Sequence, residues 1–268
     1  MKEASFIPYT ATIALPKGNV LVLAPHPDDE VFGCAGAIMQ HVSQNDSVQV
    51  VIITDGSAAT IHPNTDSKIK YIETRQQESC TAAQVLGYGT PEFWGITDRT
   101  LECNDNLIER LVNYIKEKQI TLVYAPSVME IHPDHYALAI SAVEAVRRCG
   151  ENVNLSMYEI GVPLHPNILL DITNMLERKK EAMNCFVSQL ALQDYSRHVL
   201  GLNTYRSYTL PATVIAVEGY YMLNGLELQN QFSVFGNTRQ TAELSRVYNS
   251  RSWRLTMPLR WLHSVFKT

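Results

Sequence analysis

Residues 21–36 read LVLAPHPDDEVFGCAG, and this stretch decides the fold. Its apolar run begins at Val20, and an unbroken run of this length is typical of a strand that is buried on both faces. The run stops at a cluster of one imidazole and three carboxylic acids: His26, Asp28, Asp29 and Glu30. In open α/β sheets, ligands bind beyond the carboxyl ends of the strands. The cluster therefore predicts a ligand site at the end of a parallel strand.

The rest of the chain alternates between strand-length apolar runs and segments of helical period. The predicted strands are Val20–Pro25, Val48–Thr54, Ile120–Ala125, Leu155–Ile160, Ile168–Ile172 and Thr213–Glu218. The predicted helices are Cys34–Ser43, Ile69–Leu86, Asn106–Lys118, Tyr136–Cys149 and Thr173–Gln193. This alternation predicts an α/β protein with a Rossmann-like, three-layer fold and a mainly parallel sheet.

Composition limits the class of protein. The chain has 268 residues, of which 46% are hydrophobic and 18% are charged, as in soluble globular proteins. Apolar stretches stay short of the roughly 20 residues that a membrane-spanning helix needs, and the N-terminal residues lack the continuous apolar segment of a secretory signal. The five cysteines form no Cys-x-x-Cys pair, which is typical of a reducing compartment. We therefore expect a cytoplasmic protein.

Charge is distributed unevenly along the chain. From Arg239 onward there are six basic residues and one acidic residue, which leaves a formal charge of −10 on residues 1–238. Such an acidic body argues against nucleic-acid binding. The composition changes after about Gln231. We therefore predict two parts, a main domain over residues 1–230 and a basic, aromatic C-terminal extension over residues 231–268.

A second polar cluster, the HPDH at 132–135, follows the predicted strand at 120–125. Imidazole and carboxylate are common zinc ligands, and a catalytic zinc usually has three protein ligands and one open position. His26 and Asp29 can point the same way from one turn, and either histidine of the second cluster can complete the set. A bound metal ion would offset the cost of gathering carboxylates in a partly dry crevice.

Each cluster also has a structural explanation. The HPDD at 26–29 is a common composition for an Asx turn or a helix N-terminus. The HPDH at 132–135 could simply start a helix, with Asp134 as its N-cap. Two such clusters, each after a buried strand, favour a shared ligand site more strongly than either cluster alone.

The paired motifs, PHPDDE at 25–30 and HPDH at 132–135, resemble those of the LmbE/PIG-L family of zinc-dependent N-acetylglucosamine deacetylases. Supporting matches extend over roughly residues 18–222 and comprise TDG at 54–56, Arg75, Glu78, Asp98, DIT at 171–173, Lys180, Ser188-Gln189 and Glu218. The resemblance implies that residues 1–230 form a deacetylase domain. Its expected reaction is the hydrolysis of an N-acetyl group from an amino sugar or its conjugate.

The resemblance also implies a role for each matching residue. It places the metal ligands at His26, Asp29 and His135, with Zn²⁺ as the expected ion and Fe²⁺ as an alternative that the same ligands accept. It places the general base at Asp28 and an assisting histidine at His132. In amide hydrolysis, zinc lowers the pKa of water and the base accepts the water proton. Zinc and a protonated His132 would stabilise the oxyanion, and either Asp28 or His132 could protonate the leaving amine.

Three further residues are predicted to contact the substrate. Asp98 lies where the family has a substrate-side aspartate, although the surrounding WGITDRT is a loose match. Arg75 could bind a phosphate or a sugar hydroxyl, and it could equally pair with Glu78 on the same helix face. Glu130, two residues before the HPDH, stands where some members have an aromatic residue, and we expect it to alter the substrate contacts.

The C-terminal extension resembles, at residues 252–260, a short SWRLT-x-PLR element of some bacterial glycan-assembly proteins. Its basic and aromatic residues suit an anionic membrane surface or a partner protein, and a helix docked on the acidic body is an equal alternative. Together with the family resemblance, this predicts a sugar conjugate on a lipid or nucleotide carrier in surface-glycan biosynthesis. The protein would then lie in the cytoplasm or peripherally at the inner face of the membrane.

Two rival functions use the same crevice. One is a catalytically silent glycan- or nucleotide-binding module, against which the presence of Asp28 and of both HPDH histidines argues. The other is a zinc amidase that acts on a different conjugate. A dinucleotide-dependent dehydrogenase is disfavoured, because no G-x-G-x-x-G follows the first strand.

Overall fold

The computed structural model describes residues 7–230. The predicted C-terminal extension, residues 231–268, lies outside the described residues, and so does the membrane or partner contact expected of it. Within residues 7–230, no helix combines the length and the apolar composition that crossing a bilayer requires.

A seven-stranded sheet forms the middle layer. Its strands are β1 (Val20–Ala24), β2 (Val48–Thr54), β3 (Glu92–Ile96), β4 (Leu122–Pro126), β5 (Asn154–Tyr158), β6 (Ile168–Asp171) and β7 (Val217–Leu223). They lie side by side in the order β3-β2-β1-β4-β5-β7-β6. The first five are parallel, and β7 runs antiparallel to both of its neighbours. The predicted Rossmann-like α/β fold with a mainly parallel sheet is confirmed.

Helices cover both faces of the sheet. They are α1 (Asp29–Ser43), α2 (Thr65–Leu86), α3 (Asp105–Glu117), α4 (Pro133–Cys149), α5 (Leu176–Met183), α6 (Val187–Leu190), α7 (Tyr195–Tyr205) and α8 (Gly225–Asn230). α1, α2 and α5 bury side chains such as Ile38, Leu86 and Met183 against one face. α3 and α4 bury Leu111 and Val143 against the other. Three layers result, with one apolar core on each side of the sheet.

The strand order places a crevice between β1 and β4. The chain winds outward from β1 through β2 to β3 and then returns to add β4 on the other side of β1. The loops after β1 and β4 therefore diverge to opposite faces of the sheet and leave a gap at their common end. Both polar clusters, at 26–30 and 132–135, begin in these two loops, so the fold brings them together as expected.

A buried ion pair anchors α1 to the sheet. The Lys179 ammonium of α5 donates to a Glu218 carboxylate oxygen of β7 at 2.7 Å and to the Phe32 carbonyl of α1 at 3.1 Å. The same carboxylate accepts the backbone N–H groups of Gly36 and Ala37. The family pattern assigned the lysine of this segment to Lys180. The structure buries its neighbour Lys179 instead, and Lys180 is a partly exposed residue that pairs with Glu177.

Three predicted elements differ clearly from the observed ones. α1 begins at Asp29 rather than at Cys34, so the acidic cluster forms its first turn. The helix predicted over 173–193 is a 3₁₀ turn followed by α5 and α6, and the break between them turns Phe186 into the core. The last strand is β7, which begins at Val217 rather than at residue 213 because a turn bonds the Val214 N–H to the Pro211 carbonyl.

Two elements beside the crevice, β3 and α7, were not predicted, and neither was α8. β3 is an edge strand whose residues are exposed or half-buried, and its pairing with β2 is irregular between Ile52 and Thr54, so it lacks the continuous apolar run of the central strands. α7 begins at Tyr195 within a largely polar segment. Both flank the crevice and change what lines it.

Candidate active site

All eight predicted site residues line one cavity of about 650 Å³ at the carboxyl ends of the strands. They are His26, Asp28, Asp29, Arg75, Asp98, Glu130, His132 and His135. The loops after β1, β3 and β4 and the first turns of α1 and α4 supply seven of them, and α2 supplies Arg75. The fold therefore assembles side chains that are more than 100 residues apart in the sequence.

Three ligand atoms converge at the floor of this cavity. His26 Nδ1 lies 3.1 Å from Asp29 Oδ2 and 3.2 Å from His135 Nε2, and the last two atoms are 3.3 Å apart. Ligand atoms about 2.1 Å from a tetrahedral metal ion lie about 3.4 Å from one another. The three side chains are thus spaced as three corners of a tetrahedral metal site whose fourth corner faces the cavity. We refer to them below as the metal triad.

Both imidazoles of the metal triad have a carboxylate behind them. His26 Nε2 lies 3.2 Å from Asp134 Oδ2, and His135 Nδ1 lies 3.3 Å from Glu130 Oε2. A metal-binding histidine usually donates its second ring N–H to such an oxygen, which fixes the ring and its tautomer. Neutral imidazoles that donate to these carboxylates would leave Nδ1 of His26 and Nε2 of His135 to bind a metal ion.

The buried side chains of the metal triad favour the presence of positive charge. Burial opposes ionisation of Asp29, but the charges and hydrogen bonds of His135 and His26 outweigh it and lower the pKa of this carboxyl. Burial likewise lowers the pKa of His135, and Asp29 and Glu130 reverse the effect and raise that pKa to about 9. A buried cluster that favours an added positive charge so strongly is suited to a divalent cation. The donor set, two imidazoles and one carboxylate, fits zinc or iron(II).

Two other groups of side chains in the described residues could also hold a metal ion. They are His26, His132 and His135, and His26, Asp98 and Asp134, and the ligand atoms of each group lie within 4.8 Å of one another. In the second group, His26 Nε2 lies 3.2 Å from Asp134 Oδ2 and 3.3 Å from Asp98 Oδ1, which is as close as the atoms of the metal triad. The metal triad agrees with the predicted ligands, whose role remains a prediction.

Asp28 is held beside the metal triad in a strained conformation. Its φ of 132° lies in the region that glycine prefers. Its own N–H donates to Glu30 Oε2 at 2.9 Å, and its carboxylate accepts from Arg75 Nη2 at 2.9 Å. Glu30 is fully buried. This third acid of the motif, to which the sequence assigned no role, therefore holds the backbone of Asp28.

Burial raises the pKa of the Asp28 carboxyl to about 7, and Arg75 limits that rise. A carboxyl with a pKa near the working pH can both accept and return a proton, which is what acid–base catalysis requires. A perturbed carboxyl beside a candidate metal site, in a cleft, is also typical of a functional site.

The structure shows which groups Arg75 contacts, a question that the sequence left open. Its guanidinium donates to the Asp28 carboxylate and to the carbonyls of Pro27 and Gly56. Glu78, the alternative partner, instead accepts from the backbone and the hydroxyl of Ser188. Arg75 is 2% exposed and lines the cavity from beneath. Its first role in the structure is to position Asp28, and a substrate contact remains a prediction.

His132 is the N-cap residue of α4. Its Nδ1 accepts the Asp134 N–H at 3.3 Å, so a neutral ring carries its hydrogen on Nε2. Burial and the neighbouring imidazoles of His26 and His135 lower its pKa. Both observations favour a neutral His132 that donates through Nε2, where the sequence led us to expect a protonated ring. The predicted N-cap, Asp134, instead faces His26.

The remaining predicted substrate residues differ in their surroundings. Asp98 Oδ2 accepts the Ala58 N–H, while Oδ1 lies 3.3 Å from a His26 nitrogen that Asp134 already contacts. Among residues 7–230, no donor bonds Oδ1. Oδ1 is buried, and it faces His26 rather than an open part of the cavity.

Glu130, by contrast, is almost saturated. It accepts the N–H groups of residues 160–162 in addition to facing His135. It is 4% exposed. Its contacts fit support of a histidine, and its predicted contact with substrate stays a prediction.

The chain is similar to a known protein family and to several known proteins. Residues 21–146 match the family described as PIG-L, GlcNAc-PI de-N-acetylase, and the match includes both polar clusters. A probable N-acetyl-alpha-D-glucosaminyl L-malate deacetylase 2 of Bacillus anthracis is 25% identical over 187 residues, which are 65% of this chain and 82% of that protein. The diacetylchitobiose deacetylase of Thermococcus kodakarensis is 28% identical over 190 residues, 64% of this chain and 70% of that protein.

Two further comparisons widen the range of chemistry. The 4-oxalmesaconate hydratase of Pseudomonas putida is 24% identical over 204 residues, 69% of this chain and 79% of that protein. Among solved structures, an N,N'-diacetylchitobiose deacetylase from Pyrococcus horikoshii has a TM-score of 0.71 and 24% identity, and the match covers 79% of this chain and 85% of that chain. The last comparison confirms the fold.

Proposed function

The chain belongs to the PIG-L family through residues 21–146, and on this premise we propose that it hydrolyses the N-acetyl group of an amino-sugar conjugate. The observation that supports this most directly is the metal triad with Asp28 beside it. Named deacetylases of N-acetylated sugars among the relatives support the same reaction class. Water and the amide are consumed, and acetate and a free amine are produced.

We assign the cation to His26, Asp29 and His135, and we propose Zn²⁺ as the ion, with Fe²⁺ able to use the same ligands. A bound divalent ion would supply Lewis-acid chemistry, by acidifying water and by polarising the acetamido carbonyl. The protein's own contribution is a rigid set of donors with Asp134 and Glu130 behind the two imidazoles.

Asp28 is the proposed general base. Its carboxylate takes the proton of the attacking water as the C–O bond forms, and a carboxyl with a pKa of about 7 is poised to return that proton to the nitrogen of the leaving amine. Arg75 and Glu30 keep the carboxylate and its backbone in place during both transfers. We therefore propose Asp28 for the second proton transfer as well, which the sequence left open between Asp28 and His132.

His132 is the proposed oxyanion donor. Its neutral Nε2–H can donate to the carbonyl oxygen as negative charge develops there, and donors placed at that position strengthen in the transition state. Asp98, which lines the cavity, is proposed to contact a sugar hydroxyl.

One specific observation supports a second candidate, a hydratase. The Pseudomonas putida relative is a hydratase, and a base next to a metal site could also add water across a carbon–carbon double bond. This reaction releases no acetate, so product analysis separates the two candidates.

The C-terminal extension is the basis for a proposal about the biological setting. The C-terminal element at 252–260 resembles one in bacterial glycan-assembly proteins, and we place the reaction in surface-glycan biosynthesis on that basis. The protein would act in the cytoplasm, with the extension of residues 231–268 contacting the membrane surface or a glycan-assembly protein.

The test uses the full chain loaded with Zn²⁺ and a panel of N-acetylglucosamine conjugates. Mass spectrometry should show the loss of one acetyl group, and an enzymatic acetate assay should find one acetate for each amine formed. Asp28→Asn and His135→Ala protein serve as controls for contaminating deacetylase. Acetate release that both variants retain, or no acetate from any conjugate, would contradict the proposal.

A further inference from the structure

The lining of the cavity includes apolar side chains that the proposed chemistry does not use. Six large ones come from α1, from the loops after β4 and β5, and from the α6–α7 segment: Phe32, Ile131, Ile160, Leu192, Tyr195 and Val199. We call these six residues the apolar wall. It is continuous with the metal triad, since both border the same 650 Å³ cavity.

Part of the apolar wall is exposed to solvent. Ile131, Leu192 and Tyr195 are 84%, 51% and 41% exposed, although each is a large apolar side chain. Single exposed apolar residues are ordinary on a protein surface, but several around the mouth of one cavity are typical of a binding site. A ligand that covered them would gain the free energy of removing that surface from water.

The wall is built on fixed supports. The Phe32 ring lies 5.8 Å from the ring of the core residue Phe186 and 6.3 Å from that of Tyr195, so Tyr195 rests on a buried aromatic pair. The Asp194 side chain caps the start of α7 through the Arg197 N–H. The apolar surface is therefore present before any ligand binds, as is usual for small-molecule sites.

The charges of the cavity argue against an anionic occupant. Its lining includes four carboxylic acids, Asp28, Asp29, Asp98 and Glu130, against two guanidinium groups. One of those, Arg75, is already bonded to Asp28 and to two carbonyls. Arg99 is thus the only lining guanidinium, among the described residues, that has no such set of partners. Apart from the proposed metal ion and the lining histidines, a nucleoside diphosphate would therefore find only Arg99 to compensate its charge.

We propose that the apolar wall binds the aglycone of the substrate, and that this aglycone is an uncharged aliphatic chain. The sugar would sit between the metal triad and Asp98, and the chain would leave it across Ile131, Leu192 and Tyr195. This inference rests on the proposed deacetylation and chooses a lipid-like conjugate over a nucleotide-linked one.

The test compares kcat/KM for three substrates of the Zn²⁺-loaded full chain: the methyl and hexyl glycosides of N-acetylglucosamine and the uridine diphosphate-linked sugar. Each buried CH₂ group is worth about fourfold in affinity, so the hexyl glycoside should exceed the methyl glycoside by about tenfold or more, mainly through KM. A ratio near one, or a preference for the nucleotide sugar, would overturn the proposal.

The double variant Ile131→Ser/Leu192→Ser should lose most of the hexyl preference and keep the wild-type kcat/KM for the methyl glycoside. Ile13→Ser/Ile215→Ser is the matched control, because these side chains are 73% and 52% exposed and lie outside the cavity lining. Equal loss in both double variants would reject a specific role of the wall.

Direct binding separates this inference from the proposed reaction. Titration calorimetry with hexyl and methyl glycosides measures the same preference without turnover. Tighter binding of the hexyl compound with no acetate release would sustain the wall and reject the deacetylase. Acetate release with equal binding of the two glycosides would do the reverse.

Discussion

Two clusters of buried charge lie along α1, and they are built in opposite ways. In the Lys179–Glu218 cluster, the protein supplies its own compensation: an ammonium, two backbone N–H groups and the Tyr220 hydroxyl all donate to one carboxylate. In the metal triad, nitrogen atoms of His26 and His135 and a carboxylate oxygen of Asp29 converge on one point, and without a metal ion the positive charge there comes only from the two imidazoles, whose pKa values are raised. Charge that is internally compensated stabilises a fold, whereas lone pairs gathered around a common point create a binding site.

Removal of a triad ligand should have the largest effect on activity. His135→Ala deletes one of three metal ligands, and the Lewis-acid chemistry of the ion accounts for several kcal/mol of transition-state stabilisation. We expect deacetylation to fall by about a thousandfold or more and the metal stoichiometry to fall with it. His165→Ala, at an exposed histidine outside the cavity lining, is the control.

The same substitution sharpens the comparison through stability. Asp29 and Glu130 raise the pKa of the buried His135, so this imidazole also stabilises the metal-free fold, and metal-free His135→Ala protein should unfold at a lower temperature than metal-free wild type. Added metal should raise the unfolding temperature of the wild type but not that of the variant. Elemental analysis and calorimetry on the same samples measure both quantities. Retention of a full equivalent of metal would remove His135 from the ligand set.

The core cluster should respond in the opposite way. Lys179→Met leaves the Glu218 carboxylate buried without its cation, and breaking a buried ion pair by removing one partner costs about 3 kcal/mol or more. We expect this loss in the free energy of unfolding, measured with urea, while the folded fraction keeps its metal and its kcat. Lys180→Met, at the partly exposed neighbour, should change stability by less than about 1 kcal/mol.

Should Lys179→Met prove as stable as the wild type, or should its folded fraction fail to bind metal, the division between the two clusters would be wrong. In that case the Lys179 network would be part of the site rather than a support for α1.

Asp28 shares features with both clusters. Arg75 is its cationic partner, yet the pKa of its carboxyl is still raised to about 7. Asp28→Asn preserves the size of the side chain but removes its basicity, so turnover should fall by about a hundredfold or more. Metal content should stay at the wild-type level. Near-normal turnover of an established substrate would remove Asp28 as the base.

The pH dependence of stability gives a second readout of Asp28. Burial raises its pKa from 3.8 to about 7, so in the metal-free protein the folded state favours the protonated carboxyl. The associated stability is complete below about pH 4 and is lost as the pH rises through 7. Metal-free Asp28→Asn protein should therefore melt above the wild type at pH 8, and the difference should shrink progressively toward pH 4. A difference that is the same at both pH values would contradict the assigned pKa.

The sequence predicted the central strands and the ligand positions for the same physical reason. β1, β2 and β4 are continuous apolar runs because both of their faces are buried, and the polar residues that end such runs must lie at one edge of the sheet. β3 was not predicted because it is an edge strand in which every residue is exposed or half-buried, so it has no continuous apolar run. The apolar wall escaped because α6 and α7 are short and largely polar apart from the few side chains that face the cavity.

Roles within the motifs required three-dimensional geometry. The sequence HPDDE alone does not show which acid is a metal ligand, which is a base and which holds the backbone. In the structure, Glu30 holds the backbone of Asp28. That distinction depends on a φ of 132° at Asp28 and on the direction in which each carboxylate then points. In the HPDH, likewise, the sequence favoured Asp134 as the N-cap, whereas His132 takes that position and Asp134 lies behind His26.

The smallest expected effect concerns that last contact. Asp134 Oδ2 faces His26 Nε2 at 3.2 Å and accepts the Arg99 N–H at 2.7 Å, so Asp134→Asn weakens an acceptor that orients a ligand without touching the metal position. Loss of such a partner typically lowers metal affinity 10- to 100-fold. We expect a shift of this size in competition with a fluorescent chelator, and kcat at saturating metal should change by only a few fold.

Glu130→Gln is the matched variant at the other imidazole, where the carboxylate lies 3.3 Å from His135 Nδ1. Because the Glu130 side chain also accepts backbone N–H groups from residues 160–162, part of its effect should appear as lost stability, whereas the effect of Asp134→Asn should appear mainly in metal affinity. Unchanged metal affinity in both variants would mean that these two carboxylates belong with Glu218, as internally compensated charges of the fold, and that the metal triad is oriented by packing alone.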